Sequence, residues 1–371
     1  MKSVTTALVL AIASNFACIS ANAADPAVIT TMPDEASPHE GTWLQWPHRY
    51  TYGSTYASRL DATWVAISKA LVSNEKIHII AYNASEQTRI TNLLITAKIP
   101  LANVTFLLRQ TDDVWVRDNG PVFAYDSSNK LKILDWGFNG WGFDTVFSKD
   151  NSVPAGVAAA LKLPAINLND VTLENGAIAL DGKGVAMATR SSVMDLTRNP
   201  DLTEDEMNEV LRTYLGVKKI IWLDGKDGGN EDITDMHIDG FVSFAPNGKI
   251  VTMSDADLDY WGLSAADIKT LHAATDTAGL PYQRILLPLT AKNVVTTYGK
   301  NLGYKGSYAN YYVANKVVLM PSYNDPNDAV AKGILEKIYP GRTVIAIDVR
   351  NLYANGGMIH CVTQQQPVVL P

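Results

Sequence analysis

One large α/β domain is the fold class that the sequence predicts, on three observations. Helix-period segments alternate with β-rich runs along the chain. No linker or low-complexity tract separates them. A plan of two apolar strands joined by a turn, led by a polar or acidic residue near a glycine, recurs at intervals of roughly 50–70 residues. The composition agrees: of 371 residues 47% are apolar and 19% charged, ample for a packed core. The 31 basic and 38 acidic residues give a formal charge of −7. With no cluster of Lys or Arg the chain lacks a phosphate-binding surface, which argues against a nucleic-acid partner.

The N-terminus reads as an address rather than as structure. Lys2, an apolar stretch over residues 7–13 and the sequence Ala21-Asn22-Ala23 make a signal peptide, residues 1–23. The apolar stretch is too short to span a bilayer, and no later segment approaches a transmembrane run. The expected product is therefore exported, periplasmic or secreted, with residues 24–371 as its single domain. Cleavage removes Lys2 and Cys18 and leaves Cys361 as the one cysteine. A lipid on Cys18 is the second reading, disfavoured because Phe16-Ala17 precedes it rather than a Leu-led box. A lone cysteine in an oxidising compartment is either buried and inert or chemically employed.

Within the domain, residues 57–72 place Leu60, Trp64, Ile67 and Leu71 at helical spacing. Thr203 with Glu206 makes a capping box ahead of Met207, Val210, Leu211 and Tyr214. Ser264 with Asp267 opens another helix, and Asp325-Pro326 a further one that Pro340-Gly341 ends. Strands are expected at residues 76–82, 104–108, 219–223 and 343–347. The recurring hairpins pair residues 121–125 with 131–136, 177–180 with 185–189, 241–244 with 250–253, and 311–313 with 317–320. A fifth begins at Gly356-Gly357, runs through residues 358–363 and stops; residues 41–47 are its expected second strand, closing a ring. The leading residues Asp118, Glu174, His237, Asp239 and Cys361 then converge on a shared centre.

That set has a chemistry. A thiolate at Cys361 is a competent nucleophile if a base or positive charge stabilises it. His237 is the natural general acid/base. The carboxylates Asp118, Asp239 and Glu174 exceed what a Cys–His pair needs, and surplus acids suit a cationic substrate. A guanidinium offers a planar fork of donors that carboxylates grip in pairs. Each residue also has a plainer reading: Cys361 as a small buried hydrophobe, Asp118 as the ion-pair partner of Arg117, Glu174 as a residue before a turn, Trp115 as core. Asp235, His237 and Asp239 alone are a weak metal signature, with no second histidine at ligand spacing. His39, His48, His78 and His272 are read as structural.

At these residues the chain resembles the agmatine deiminases of the guanidine-modifying pentein superfamily. The likeness starts at Met32-Pro33-Asp34-Glu35 and Pro38-His39-Glu40 with Trp43 and Trp46-Pro47. It continues through Trp115-Val116-Arg117-Asp118-Asn119-Gly120-Pro121, residues 135–141, Leu173-Glu174-Asn175-Gly176, Arg198-Asn199-Pro200 and Thr234-Asp235-Met236-His237-Ile238-Asp239. It closes with Ser307-Tyr308-Ala309-Asn310-Tyr311-Tyr312 and Gly356-Gly357-Met358-Ile359-His360-Cys361-Val362-Thr363-Gln364-Gln365-Gln366-Pro367. The resemblance implies a five-bladed α/β propeller of pseudo-fivefold repeats around a central active site, with neither metal nor cofactor. It implies that Cys361 becomes amidinated, that His237 is the acid/base supported by Glu174, and that Asp118 and Asp239 grip the guanidinium. Trp115, Gly356 and Gly357 complete the substrate pocket, and a homodimer is compatible with the family. The chain departs from the family pattern at Asn175 and Met236, where glycines are usual, and in its signal peptide.

The implied reaction hydrolyses agmatine to N-carbamoylputrescine and ammonia. Three alternatives stand beside it: a peptidyl-arginine deiminase, an amidinotransferase whose thioether an amine resolves, and a non-catalytic binding propeller.

Overall fold

The computed structural model describes residues 30–226, 228 and 232–370. The expected signal peptide, and Cys18 with it, lies outside them. The architecture is α/β, in five small sheets that share one topology. In each, an antiparallel hairpin is followed by a helix-bearing crossover to a parallel third strand, the connection a parallel pair requires. The hairpin of Val122–Asp126 and Leu131–Gly137 continues through the helix Val153–Leu161 to the strand Ala165–Thr172. Ile178–Leu180 and Val185–Thr189 continue through Glu204–Leu215 to Lys219–Leu223. Ser243–Ala245 and Lys249–Thr252 cross through Asp255–Trp261 and Ala265–His272 to Gln283–Leu286. Tyr312–Ala314 and Val317–Ser322 cross through Asn327–Ile338 to Thr343–Asp348.

The remaining sheet joins the two ends of the chain. Gln364–Pro367 pairs antiparallel with His39–Gln45, which is followed in parallel by Lys76–Ala81 and Val104–Leu108. The expected fifth hairpin exists, with one correction. Residues 358–363 do not form its first strand; His360–Val362 is a 3-10 turn, and the strand begins at Gln364. Asn310 Oδ1 accepts from the His360 amide, and Thr363 Oγ1 donates to the Ile359 and His360 carbonyls, so the backbone is satisfied without a ladder.

The same feature recurs in three other units. Short helical turns at Val116–Asn119, Asn175–Ala177 and Ile238–Gly240 lead the hairpins, and all the expected site carboxylates lie on or beside them. The turn Val116–Asn119 packs against both Asn175–Ala177 and His360–Val362, and Asn175–Ala177 packs against Ile238–Gly240. The crossover helices follow their sequence signals. Thr203 and Glu206 form the reciprocal capping box, and Met207, Leu211 and Leu215, spaced by one turn, are the buried face. The first helix, Arg49–Leu71, is longer than expected and buries Leu60, Trp64, Ile67 and Leu71.

Candidate active site

The four turns bring Asp118, Glu174, His237, Asp239 and Cys361 together. Gly176 shows how tightly. A Cβ on it would lie 2.6 Å from Asp118 Oδ1, 2.8 Å from His237 Nδ1 and 3.1 Å from Asp239 Oδ2, so three functional groups surround one backbone position. Its amide donates to Asp118 Oδ1 at 3.1 Å.

His237 sits with its Nε2 3.0 Å from Glu174 Oε2 and its Nδ1 3.7 Å from Asp118 Oδ1. Burial alone would push the imidazole down, but Asp118, Glu174 and Asp239 outweigh it and hold it at about 9. The ring is thus protonated at neutral pH. Asp118 is raised as well: burial, helped by Asp239 and Glu174, pushes it up to about 6 against the pull of His237. The Trp141 indole donates to Asp118 Oδ2 at 3.0 Å. Glu174 is held from behind by Arg198, whose Nε lies 2.9 and 3.0 Å from its two oxygens with both side chains fully buried. Removing either member would strand a buried charge, a cost of about 3–5 kcal/mol. Arg198 Nη1 also donates to Asp235 Oδ2 at 2.7 Å.

Cys361 is partly exposed and free of any disulfide. Asn310 Nδ2 donates to its sulfur at 3.3 Å, and the thiol faces Asp239 Oδ2 at 3.8 Å. Burial pushes the thiol up, and the charges of Asp239 and Asp118 push it further. Before a cation arrives it is therefore a thiol, not a thiolate. Asp239 accepts from His360 Nδ1 at 2.8 Å; burial would raise it, but His360, His237 and Arg117 keep it below the ordinary carboxylate range. Gly357 packs on the buried Trp115: a Cβ there would meet the indole at 2.1 Å, so only glycine lets the Cys361 loop lie against that ring. Gly356 precedes it at the surface.

Every expected site residue is therefore placed in or beside one cluster. The Arg117–Asp118 ion pair is corrected: Arg117 instead donates to Gln365 Oε1 at 2.8 Å, to Glu35 Oε2 at 3.3 Å and to the His360 carbonyl at 3.3 Å. At Met236 the backbone has φ 65°, a conformation that favours glycine, while its side chain joins the apolar cluster around Ile238 and Phe241. Asn175 donates to Gln364 Oε1 at 3.3 Å. Sequence reasoning assigned no role to Trp141, Arg198, Asn310 or His360. Arg198, in the polar stretch Asp195-Leu196-Thr197-Arg198-Asn199-Pro200-Asp201, carries no local signal of this role, since its partner lies 24 residues earlier in the chain. A cleft of about 330 Å³ reaches Asp239 and His360 from another side, lined also by Glu35, Arg117, Tyr311 and Tyr339.

The profile of the Porphyromonas-type peptidyl-arginine deiminase family matches residues 31–367. The chain belongs to this family. The agmatine deiminase of Pseudomonas aeruginosa (strain LESB58) is 30% identical over 358 residues, covering 91% of this chain and 95% of its own. Among solved structures, the arginine deiminase-like protein of Porphyromonas gingivalis superposes with a TM-score of 0.79 at 28% identity, covering 91% of this chain and 98% of its own. A cysteine-to-serine variant of C. jejuni agmatine deiminase, solved with substrate bound, gives 0.78 at 25% identity, over 92% and 97%. For the family member described here, the cluster around Gly176 gives a direct prediction. Gly176→Ala is expected to force Asp118 and His237 apart, so that the His237 titration falls from about 9 toward its ordinary value, read by histidine NMR across pH.

Proposed function

We propose that the chain converts agmatine to N-carbamoylputrescine and ammonia through a covalent amidino-cysteine, at the centre built by Cys361, His237, Asp118, Asp239 and Glu174. By its family it is a hydrolase acting on the C–N bonds of guanidines. The observation that carries the reading is the buried carboxylate pair Asp118 and Asp239, facing one point beside a protonated histidine and a thiol. Two carboxylates fit the fork of a guanidinium, and no neutral substrate would offset their mutual repulsion. Support also comes from relatives that carry the agmatine deiminase name.

The steps follow from the protonation states. The guanidinium binds between Asp118 and Asp239, with Trp115 and Gly357 as its wall. Its positive charge offsets the carboxylates that hold the Cys361 thiol up, so the partly exposed thiol gives its proton to solvent water and the thiolate forms against the substrate. Sulfur attacks the central carbon. His237, already protonated, gives its proton to the departing nitrogen as the C–N bond breaks, releasing ammonia. The neutral His237 then takes a proton from water, whose oxygen attacks the amidino carbon. The C–S bond breaks as the new hydroxyl on that carbon loses its proton to solvent, returning the thiolate and leaving the neutral urea product, with His237 protonated again. Glu174, fixed by Arg198, orients His237 throughout.

The five like sheets are read as the blades of a propeller around this centre, and the signal peptide as export of the whole. A second reading keeps the chemistry and changes the substrate to peptidyl-arginine, favoured by the name of the matching family. An ammonia-release panel on the mature protein with reduced Cys361 decides between them. Agmatine is expected to turn over faster than free arginine or C-terminal arginine peptides, and Cys361→Ser to abolish release. If all three substrates stay unchanged, the deiminase proposal is wrong; if the peptides win, the second reading holds.

The pH profile is expected to be a bell. Asp118 must ionise to take the cation, so kcat/KM rises through about 6; His237 must keep its proton for ammonia, so the rate falls above about 9. A flat profile across that range would contradict the assigned roles.

A further inference from the structure

The deiminase chemistry uses Asp239 but leaves its neighbour His360 without a task. Both ring nitrogens of His360 face a carboxylate: Nδ1 lies 2.8 Å from Asp239 Oδ2, and Nε2 lies 2.8 Å from Glu35 Oε2. An ionised carboxylate has no proton to give, so both nitrogens must carry one. Glu35 is itself firmly set. Its Oε1 accepts from the Val313 amide at 2.7 Å, and its Oε2 also accepts from Arg117 Nη2 at 3.3 Å.

We propose that His360 is a positioning residue for Asp239, an imidazolium clamped between Asp239 and Glu35 whose fixed charge keeps Asp239 ionised and aimed at the guanidinium. The inference deepens the proposed deiminase function and rests on it for its link to substrate. The charged groups facing His360 are Asp239 from one turn, Glu35 from the segment before the strand His39–Gln45, and Arg117 from another turn. Arg117 and burial oppose a charge on the ring; Glu35 and Asp239 outweigh them and raise it. The same contact holds Glu35 down at about 2, so the carboxylate side of the clamp is ionised as the geometry requires.

The clamp also settles the local charge balance. Among the described residues, the carboxylates Asp118, Glu174, Asp239 and Glu35 are met by the cations His237, His360, Arg117 and Arg198. Without His360 the centre would be one charge more negative, and Asp239, already beside the raised Asp118, would be the group to take up a proton. An uncharged Asp239 grips a guanidinium poorly, because the charge-assisted bond is lost.

Two variants and one spectroscopic readout test this on the mature chain. In His360→Gln the KM for agmatine is expected to rise about tenfold or more, the scale of one charged hydrogen bond, with kcat changing less. The acid limb of kcat/KM moves to higher pH, because Asp239 protonates earlier; Glu35→Gln moves it the same way by less. A purely structural role would lower the yield of active enzyme without moving the limb. Independently of turnover, ¹⁵N-histidine NMR on the wild type, assigned by difference from His360→Gln, is expected to show both His360 nitrogens protonated at pH 7. A neutral His360, or a His360→Gln enzyme with wild-type KM and acid limb, overturns the proposal. If the wild type releases no ammonia from any guanidine, the deiminase reading fails while the spectra still decide the clamp.

Discussion

Buried carboxylates that must not repel one another set the terms for the whole centre. Asp118, Glu174 and Asp239 are all buried; Asp118 and Asp239 crowd one glycine, and Glu174 meets their neighbour His237. In a low-dielectric interior such charges persist only if cations and hydrogen bonds meet them. Arg198 meets Glu174, His237 meets Glu174 and Asp118, and His360 meets Asp239. The surrounding chain is arranged to deliver those cations: Arg198 comes from the segment after the strand Val185–Thr189, and His360 from the turn that carries the nucleophile. The protonation states follow from this arrangement. His237 is a ready acid, Cys361 a resting thiol, and Asp118 a carboxyl that a cation must complete.

Sheets hold this cluster still. Four of the five hairpins begin at a short helical turn packed against a neighbouring turn, so the reacting groups stand at the ends of strands rather than on free loops. Rigid placement matters here because an error of about 1 Å in a reacting group costs on the order of a hundredfold in rate. Gly176 and Gly357 belong to the same requirement. At both, a side chain would occupy space that a functional group or Trp115 already fills.

Much of this was legible in the sequence, for physical reasons that differ by residue. The alternation of helix and strand periods predicted four of the crossover helices but not Val153–Leu161 or Asp255–Trp261, and the Thr203 capping box marked its helix start to the residue. The recurring polar residue beside a glycine located four of the five site side chains, because a strand-leading turn needs glycine next to a group that faces inward. The turn at His360–Val362 was not legible. Its apolar run, Met358-Ile359 and Val362, has the look of a strand, and the turn is completed by the distant Asn310 together with the nearby Thr363 hydroxyl. The plainer alternative of an Arg117–Asp118 ion pair rested on nearness in sequence, whereas the partners of Arg117, Glu35 and Gln365, lie 82 and 248 residues away. Partners across the fold leave no local trace.

The central claim is that the carboxylates form a trap for one cation, and binding without turnover tests it most directly. Calorimetric titration of agmatine into the Cys361→Ser protein should give saturable one-to-one binding, and adding Asp118→Asn should weaken it about tenfold or more, the worth of one charge-assisted contact. Equal affinity in the two proteins, or no binding in either, would contradict the account.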